Sequence, residues 1–257
     1  MNNLTSPIFR LEQVCLSAKL NTQNKDNLPG YSILKDISFE VFTGARTAIV
    51  GPTGAGKTFL LRLLNRLSEP TSGKIYFENQ DYFKIPVLQL RSSVVMVPQE
   101  PKLLGMTVKD ALSYPLVLRA LPKVEVQQRV SYWVEQLQIP NDWLGRNEVQ
   151  LSVGQRQLVA IARGLVIQPK VLLLDEPTSS LDIAYLERLL LKLSELSQKQ
   201  NTTILMVNHQ LDTVLNFCHN VIHISQGRLI SNQRSSDIDL KILKASISQA
   251  EAEDDFS

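Results

Sequence analysis

Residues 51–58 read Gly51-Pro52-Thr53-Gly54-Ala55-Gly56-Lys57-Thr58, and this octapeptide constrains the fold more tightly than any other segment. Its glycines let the main chain curl so that several N–H groups converge on one anion, an approach that Cβ atoms would obstruct. Lys57 adds a positive charge on a flexible stem, and the Thr58 hydroxyl offers an oxygen to a divalent cation. Arg46-Thr47-Ala48-Ile49-Val50, just before the loop, is a short apolar run with the character of a buried strand. Phe59–Leu67 follows as a helix that starts near Gly56, so its positive dipole end adds to the anion site. Strand, loop and helix in that order, with the spacing G-x-x-x-x-G-K-[ST], define a phosphate-binding loop.

The rest of the chain extends the pattern. Ile8–Leu16 and Ile33–Val41 alternate as exposed strands do, and the polar stretch Asn21–Gly30 between them reads as a loop or hairpin tip. Lys74–Phe77, Ser93–Val97, Val171–Leu174, Thr202–Val207 and Val221–Ser225 are further strands, the last closed by a Gln226-Gly227 turn. Helical spacing runs from Thr107 to Gln138, from a cap at Ser152 through Ala162, and from Leu181 to Lys199. Strands alternating with helices predict an α/β fold: a P-loop NTPase core with a mainly parallel sheet, an antiparallel β subdomain and a helical subdomain. The expected organisation is a single domain over 1–235 with its helical subdomain at about 100–155. A partly disordered tail over 236–257 follows, frayed at the acidic run Glu251–Asp255.

Val171-Leu172-Leu173-Leu174 runs directly into Asp175-Glu176. Four apolar residues in a row suit a strand buried on both faces, and ligands in parallel sheets gather at the carboxyl ends of strands. Asp175 is thereby a candidate Mg²⁺ ligand, and Glu176 is placed to polarise a water attacking a γ-phosphate. A net charge of +2 over 257 residues argues against a nucleic-acid surface. Cys15 and Cys218 read as buried free thiols of a reducing compartment, and His209, His219 and His223 lack metal-ligand spacing. The N-terminus has no secretory character, and no run approaches the ~18 apolar residues that span a bilayer. The expectation is a cytoplasmic protein, peripheral on the cytoplasmic face of a membrane only through a partner.

Leu151-Ser152-Val153-Gly154-Gln155-Arg156-Gln157, lying between the phosphate loop and the Asp-Glu strand, resembles the LSGGQ signature of ATP-binding cassette ATPases. Other elements resemble that family in the same order. Gln99 in Val97-Pro98-Gln99-Glu100-Pro101 is similar to the glutamine loop, Ser180-Leu181-Asp182 to the dimer-contacting loop, and His209 to the switch histidine. The resemblance covers about residues 8 to 230. It implies that two cassettes, a homodimer or a heterodimer, pair head to tail around two ATP molecules with Mg²⁺. Gly51 to Thr58 of one subunit would hold each ATP, with Lys57 on the phosphates. Ser152, Gly154 and Gln155 of the other would close over the γ-phosphate, where Asp182 makes the intersubunit contact. Gln99 would touch Mg²⁺ or the attacking water, alongside Thr58 and Asp175 on the metal, and His209 would bond the γ-phosphate. The Asp182 carboxylate also suits a helix N-cap, and both readings stand.

Two positions depart from the pattern. Val153 replaces the first glycine of the signature pair; a β-branched side chain there would stand close to the opposing phosphate and would disfavour positive φ if the loop needs it, and is expected to slow hydrolysis. The adenine-stacking aromatic has Tyr31 as its one candidate, a residue that equally suits a half-buried strand position. The resemblance further implies an integral membrane permease as partner, received in a groove beside the glutamine loop with Leu103–Asp110 at the contact; a plain loop leading into a helix is the other reading of that segment. The stretch Thr107–Pro115 resembles bacterial iron-export and plant aluminium-tolerance cassettes, and Leu64-Asn65-Arg66-Leu67 more loosely phosphate-import cassettes. A soluble cassette ATPase of the cluster-assembly type and a weakly hydrolysing regulatory cassette are the alternatives.

Overall fold

A computed structural model describes residues 6–18, 31–178 and 180–254. The expected hairpin tip at Asn21–Gly30 lies outside the described residues. In the first part of the chain come β1 (Pro7–Ser17), β2 (Ser32–Phe42), β3 (Arg46–Val50), α1 (Lys57–Leu64), β4 (Ser72–Phe77), β5 (Gln80–Asp81) and α2 (Val87–Ser93). The middle carries β6 (Val94–Val97), α3 (Val108–Val117), α4 (Lys123–Gln136), α5 (Val153–Leu165), β7 (Val171–Asp175), α6 (Ile183–Gln200) and β8 (Thr203–Val207). The end holds α7 (Leu211–Phe217), β9 (Asn220–Ser225), β10 (Arg228–Arg234) and α8 (Leu240–Asp254). These elements fall into two compact units, Met1–Arg91 with Val207–Ser257, and Ser92–Met206.

In the first unit an antiparallel sheet has the order β2-β1-β4-β5. Phe9 pairs with Val41, Leu11 with Phe39 and Val14 with Ile37, and all six are buried. Between Leu11 and Val14 the register slips at Gln13, whose φ of 50° marks a bulge that keeps both apolar residues inward. β3 runs parallel to β9, and β10 returns antiparallel to β9 through Gln226 and Gly227, both at positive φ as a tight hairpin demands. Within the expected tail, Leu240–Asp254 form α8, with Leu243 buried and Ile247 and Ala250 half-buried at helical spacing. Its inward stripe is one residue wide, too narrow to stand out in a polar sequence.

In the second unit β6 runs parallel to β7, pairing Val94 with Val171 through Val97 with Leu174, and β8 lies on the other side of β7. Every residue of β7 and β8 is buried, as continuous apolar runs require. The expected helical block over 100–155 lies inside this unit. Its long helical stretch divides into α3 and α4, because Pro122 opens α4 and Ala120 takes φ 55°. Parallel strand pairs with intervening helices, together with a separate antiparallel sheet, give the α/β fold expected of the sequence. No helix among the described residues is long and apolar enough to cross a membrane.

Candidate functional site

The first unit carries the phosphate loop. β3 is buried from Thr47 to Val50 and delivers the chain to Gly51, which passes the Ile224 carbonyl so closely that a Cβ would stand 1.9 Å from its oxygen. Pro52 and Ala55 are buried, and the Ala55 N–H donates to the Pro52 carbonyl at 3.3 Å. Thr53 and Gly54 form the exposed tip. Gly56, with φ 98°, caps α1, so the helix begins at Lys57 with the main-chain donors of its first turn facing the loop. Lys57 is buried, and its Nζ donates to the Gly51 and Pro52 carbonyls at 2.8 and 2.7 Å. The ammonium is thereby held over the loop rather than left in solvent. Thr58, on the first turn of α1, is half-buried.

Two other candidates belong to this unit. His209 is exposed just after β8, on a turn in which the buried Asn208 accepts the Gln210 N–H at 2.9 Å. This Asx turn escaped the sequence reading, although Asn preceding a strand-end His is its signal. Tyr31 stands at the entrance to β2, where its carbonyl accepts the Ala18 N–H at 2.8 Å and its side chain is 73% exposed. The half-buried strand position considered for it is therefore ruled out.

The second unit holds the acids and the signature. Asp175, the last residue of β7, is 3% exposed, whereas Glu176 is half-buried. Glu176 adopts φ 47°, the left-handed region that costs a non-glycine residue about 1 kcal/mol or more and that gathers at functional turns. Its Oε2 accepts a 2.8 Å hydrogen bond from Gln99 Nε2. The candidate general base and the candidate sensor are thus in direct contact, which no spacing in the sequence foretold.

Ser152 caps α5. Its Oγ accepts the Gln155 N–H at 3.2 Å and its own N–H donates to Gln155 Oε1 at 2.9 Å, a reciprocal capping box. Val153 is the first residue of α5, is 54% exposed and is not at positive φ. The backbone objection to valine therefore does not apply. The glycine that geometry demands is the second: a Cβ on Gly154 would stand 2.2 Å from the Ser180 carbonyl oxygen. The start of α5 rests directly on the segment leading to Asp182. Asp182 occupies the expected N-cap position of α6, although its side chain makes no capping hydrogen bond.

A groove of about 400 Å³ in the same unit lies beside the glutamine loop, with Pro98, Glu100, Leu104, Tyr114, Leu118 and Arg163 among its walls. Leu104 is 64% exposed while Leu103 is fully buried, so the apolar pair divides between groove and core. Burial lowers the Arg163 pKa, with Glu148 opposing the shift, and its guanidinium donates to the Lys102 carbonyl at 2.9 Å. Among the described residues no group of three or more His, Cys, Asp or Glu side chains is arranged to hold a metal. Mg²⁺ does not require such a group, since it keeps several waters and takes one or two protein oxygens plus substrate phosphates. The half-buried Thr58 in the first unit and the buried Asp175 carboxylate in the second are each oxygen donors of the kind Mg²⁺ accepts.

Residues 34–179 match the family described as ABC transporter. The chain is 35% identical over 227 residues to the methionine import ATP-binding protein MetN of Francisella tularensis, covering 87% of this chain and 63% of that protein. It thus spans less than two thirds of that relative's length. The tungstate uptake system ATP-binding protein TupC of Peptoclostridium acidaminophilum is 34% identical over 205 residues, covering 80% of this chain and 93% of that one. Among solved structures, CbiO1 from Clostridium perfringens, part of the ABC transporter complex cbiONQ, is similar with a TM-score of 0.77 and 30% identity, over 95% of this chain and 93% of that one. The cassette MJ0796, solved as a dimer in a post-hydrolysis state with ADP and Pi, shares the fold with a TM-score of 0.78 at 24% identity, over 88% of this chain and 98% of that one.

Proposed function

Because the chain belongs to the ABC transporter family, we propose that it binds ATP with Mg²⁺ and hydrolyses it, driving transport through a separate integral membrane permease. The observation that carries this reading is the phosphate loop, with Lys57 buried over it and α1 opening at its end. Main-chain N–H groups of residues 51–58 and the Lys57 ammonium bind and orient the phosphates, and phosphoryl transfer depends mostly on such positioning and charge neutralisation. Thr58, Asp175 and Gln99 are the residues that would hold Mg²⁺, which when bound would neutralise charge on the phosphates. Glu176 takes the proton of the attacking water, and His209 donates to the γ-phosphate. Ser152, Gly154 and Gln155 at the start of α5, together with Asp182, form the face offered to a second cassette, and Tyr31 stacks on the adenine.

The permease docks a segment into the groove beside Gln99. The exposed Leu104, Tyr114 and Leu118 with the Glu100 and Arg163 charges suit an amphipathic partner. The similar MetN and TupC proteins serve methionine import and tungstate uptake, so import is the direction we favour over the metal export suggested by Thr107–Pro115. With its partner, the chain sits on the cytoplasmic face of the membrane. The exposed, helical Val153 supports an active cassette over a regulatory one. Affinity purification of the tagged chain from detergent-solubilised membranes, followed by MgATP turnover, tests the proposal. A copurifying integral membrane protein and turnover abolished by Lys57→Ala are expected. A chain found only among soluble proteins, or one that does not bind MgATP, would overturn it.

A further inference from the structure

Gln157 is 1% exposed, and neither Nε2 nor Oε1 of its carboxamide has a hydrogen-bonding partner. A buried amide without partners is costly, and native folds carry few of them. Its place on α5 indicates what it is for. Gly154 faces the Ser180 carbonyl, and Gly164 faces Val97 and Leu172, with an ideal Cβ 3.2 and 3.5 Å from their side chains. Gln157 follows Gly154 by three residues and precedes Gly164 by seven, so it lies on the same helix face between those two contacts. Seven residues of helix rise about 10.5 Å, which a strand covers in about three residues. Counted from Leu172 toward the Ser180 end, that distance reaches Asp175 and Glu176, where β7 ends.

That turn has reason to need a hydrogen-bonding group. Glu176 is held at φ 47° with its carboxylate on Gln99. Pro177 has no N–H to contribute, and the Thr178 carbonyl accepts a long 3.4 Å bond from the Leu181 N–H. We infer that Gln157 is a positioning residue for hydrolysis: its carboxamide bonds the main chain of residues 176–178 when Glu176 leaves Gln99 to face the attacking water. Nε2 donates to a carbonyl of the turn and Oε1 accepts the Thr178 N–H, the pairing that the resting arrangement leaves unmade. The inference rests on the ATPase reading above.

Gln157→Met in the full chain keeps the side chain's length and removes both polar atoms. The thermal midpoint should hold or rise, since an unpaired amide is lost. The kcat for MgATP should fall about tenfold while KM stays within about twofold, the mark of an interaction made only on the way to the transition state. Gln157→Leu should behave alike, which guards against poor packing of methionine. A kcat within about twofold of the parent in both variants overturns the inference and leaves the ATPase reading intact. So does a midpoint drop of more than about 5 °C, equivalent to losing a bond already made in the resting fold. An inactive parent instead overturns the ATPase reading, and the inference with it.

Discussion

Gly154→Ala should damage this protein far more than any change at Val153, although the two residues are adjacent. The added Cβ would lie 2.2 Å from the Ser180 carbonyl oxygen and 3.2 Å from its carbon. Carbon–oxygen contacts settle at about 3.3–3.6 Å, so either the first turn of α5 or the main chain at Ser180 has to retreat by about 1 Å. No flexible side chain is available to give way, because the obstructing atoms are backbone. Overpacking of this kind costs about 1–3 kcal/mol. For a domain of this size about 2–4 °C accompanies each kcal/mol, so the thermal midpoint should drop by roughly 2–12 °C. Val153→Gly is the internal control: an exposed residue at a helix start changes stability by a few tenths of a kcal/mol through helix propensity. Differential scanning fluorimetry of the two variants beside the parent measures both effects. MgATP turnover should also fall in Gly154→Ala, because the displaced segment links Glu176 to Asp182. A Gly154→Ala midpoint within about 1 °C of the Val153→Gly variant would refute the steric argument.

Burial lowers the pKa of both His219, where Arg46 adds to the effect, and His223, so the unfolded chain binds their protons first as pH falls. Their contribution to stability is present above the ordinary histidine value of 6.5 and is lost below it; urea midpoints that do not decline from pH 7.5 to 5.5 would contradict this. Burial pushes the Cys218 thiol up to about 12, so it should resist a thiol-reactive dye at pH 8 in the folded protein, and rapid labelling identified at Cys218 by mass spectrometry would count against its placement. Glu176→Gln should lower turnover by about 10²- to 10⁴-fold without weakening nucleotide binding, as loss of a general base does, and a variant with parental kcat would remove Glu176 from that role.

Much of the candidate site was legible because its chemistry is local. A glycine loop, a capping serine and an acid pair ending an apolar strand each state their purpose within eight residues, and β3, α1, α5 and β7 follow from them. Elements without such local statements were missed. α2 and α7 have seven residues each, about two turns, too short for a hydrophobic period to emerge. α8 has the length but only a narrow inward stripe, and a charged C-terminal sequence reads as solvated. The backbone objection to Val153 was misplaced because the spacing of the signature does not reveal where the helix begins. One residue into α5, a valine needs no unusual backbone.

The sequence by itself determined the ligand class, the alternation of strands with helices, and which residue types stand at strand ends and helix starts, because hydrophobic period and main-chain stereochemistry act over a few residues. Only the tertiary structure decided that Gln99 bonds Glu176, that Glu176 is held in the left-handed region, that Gly154 rather than residue 153 must lack a side chain, and that Gln157 is buried without a partner. Those facts depend on segments up to 77 residues apart in sequence being brought within a few ångströms. A local pattern carries no record of which distant carbonyl will lie against a given Cα.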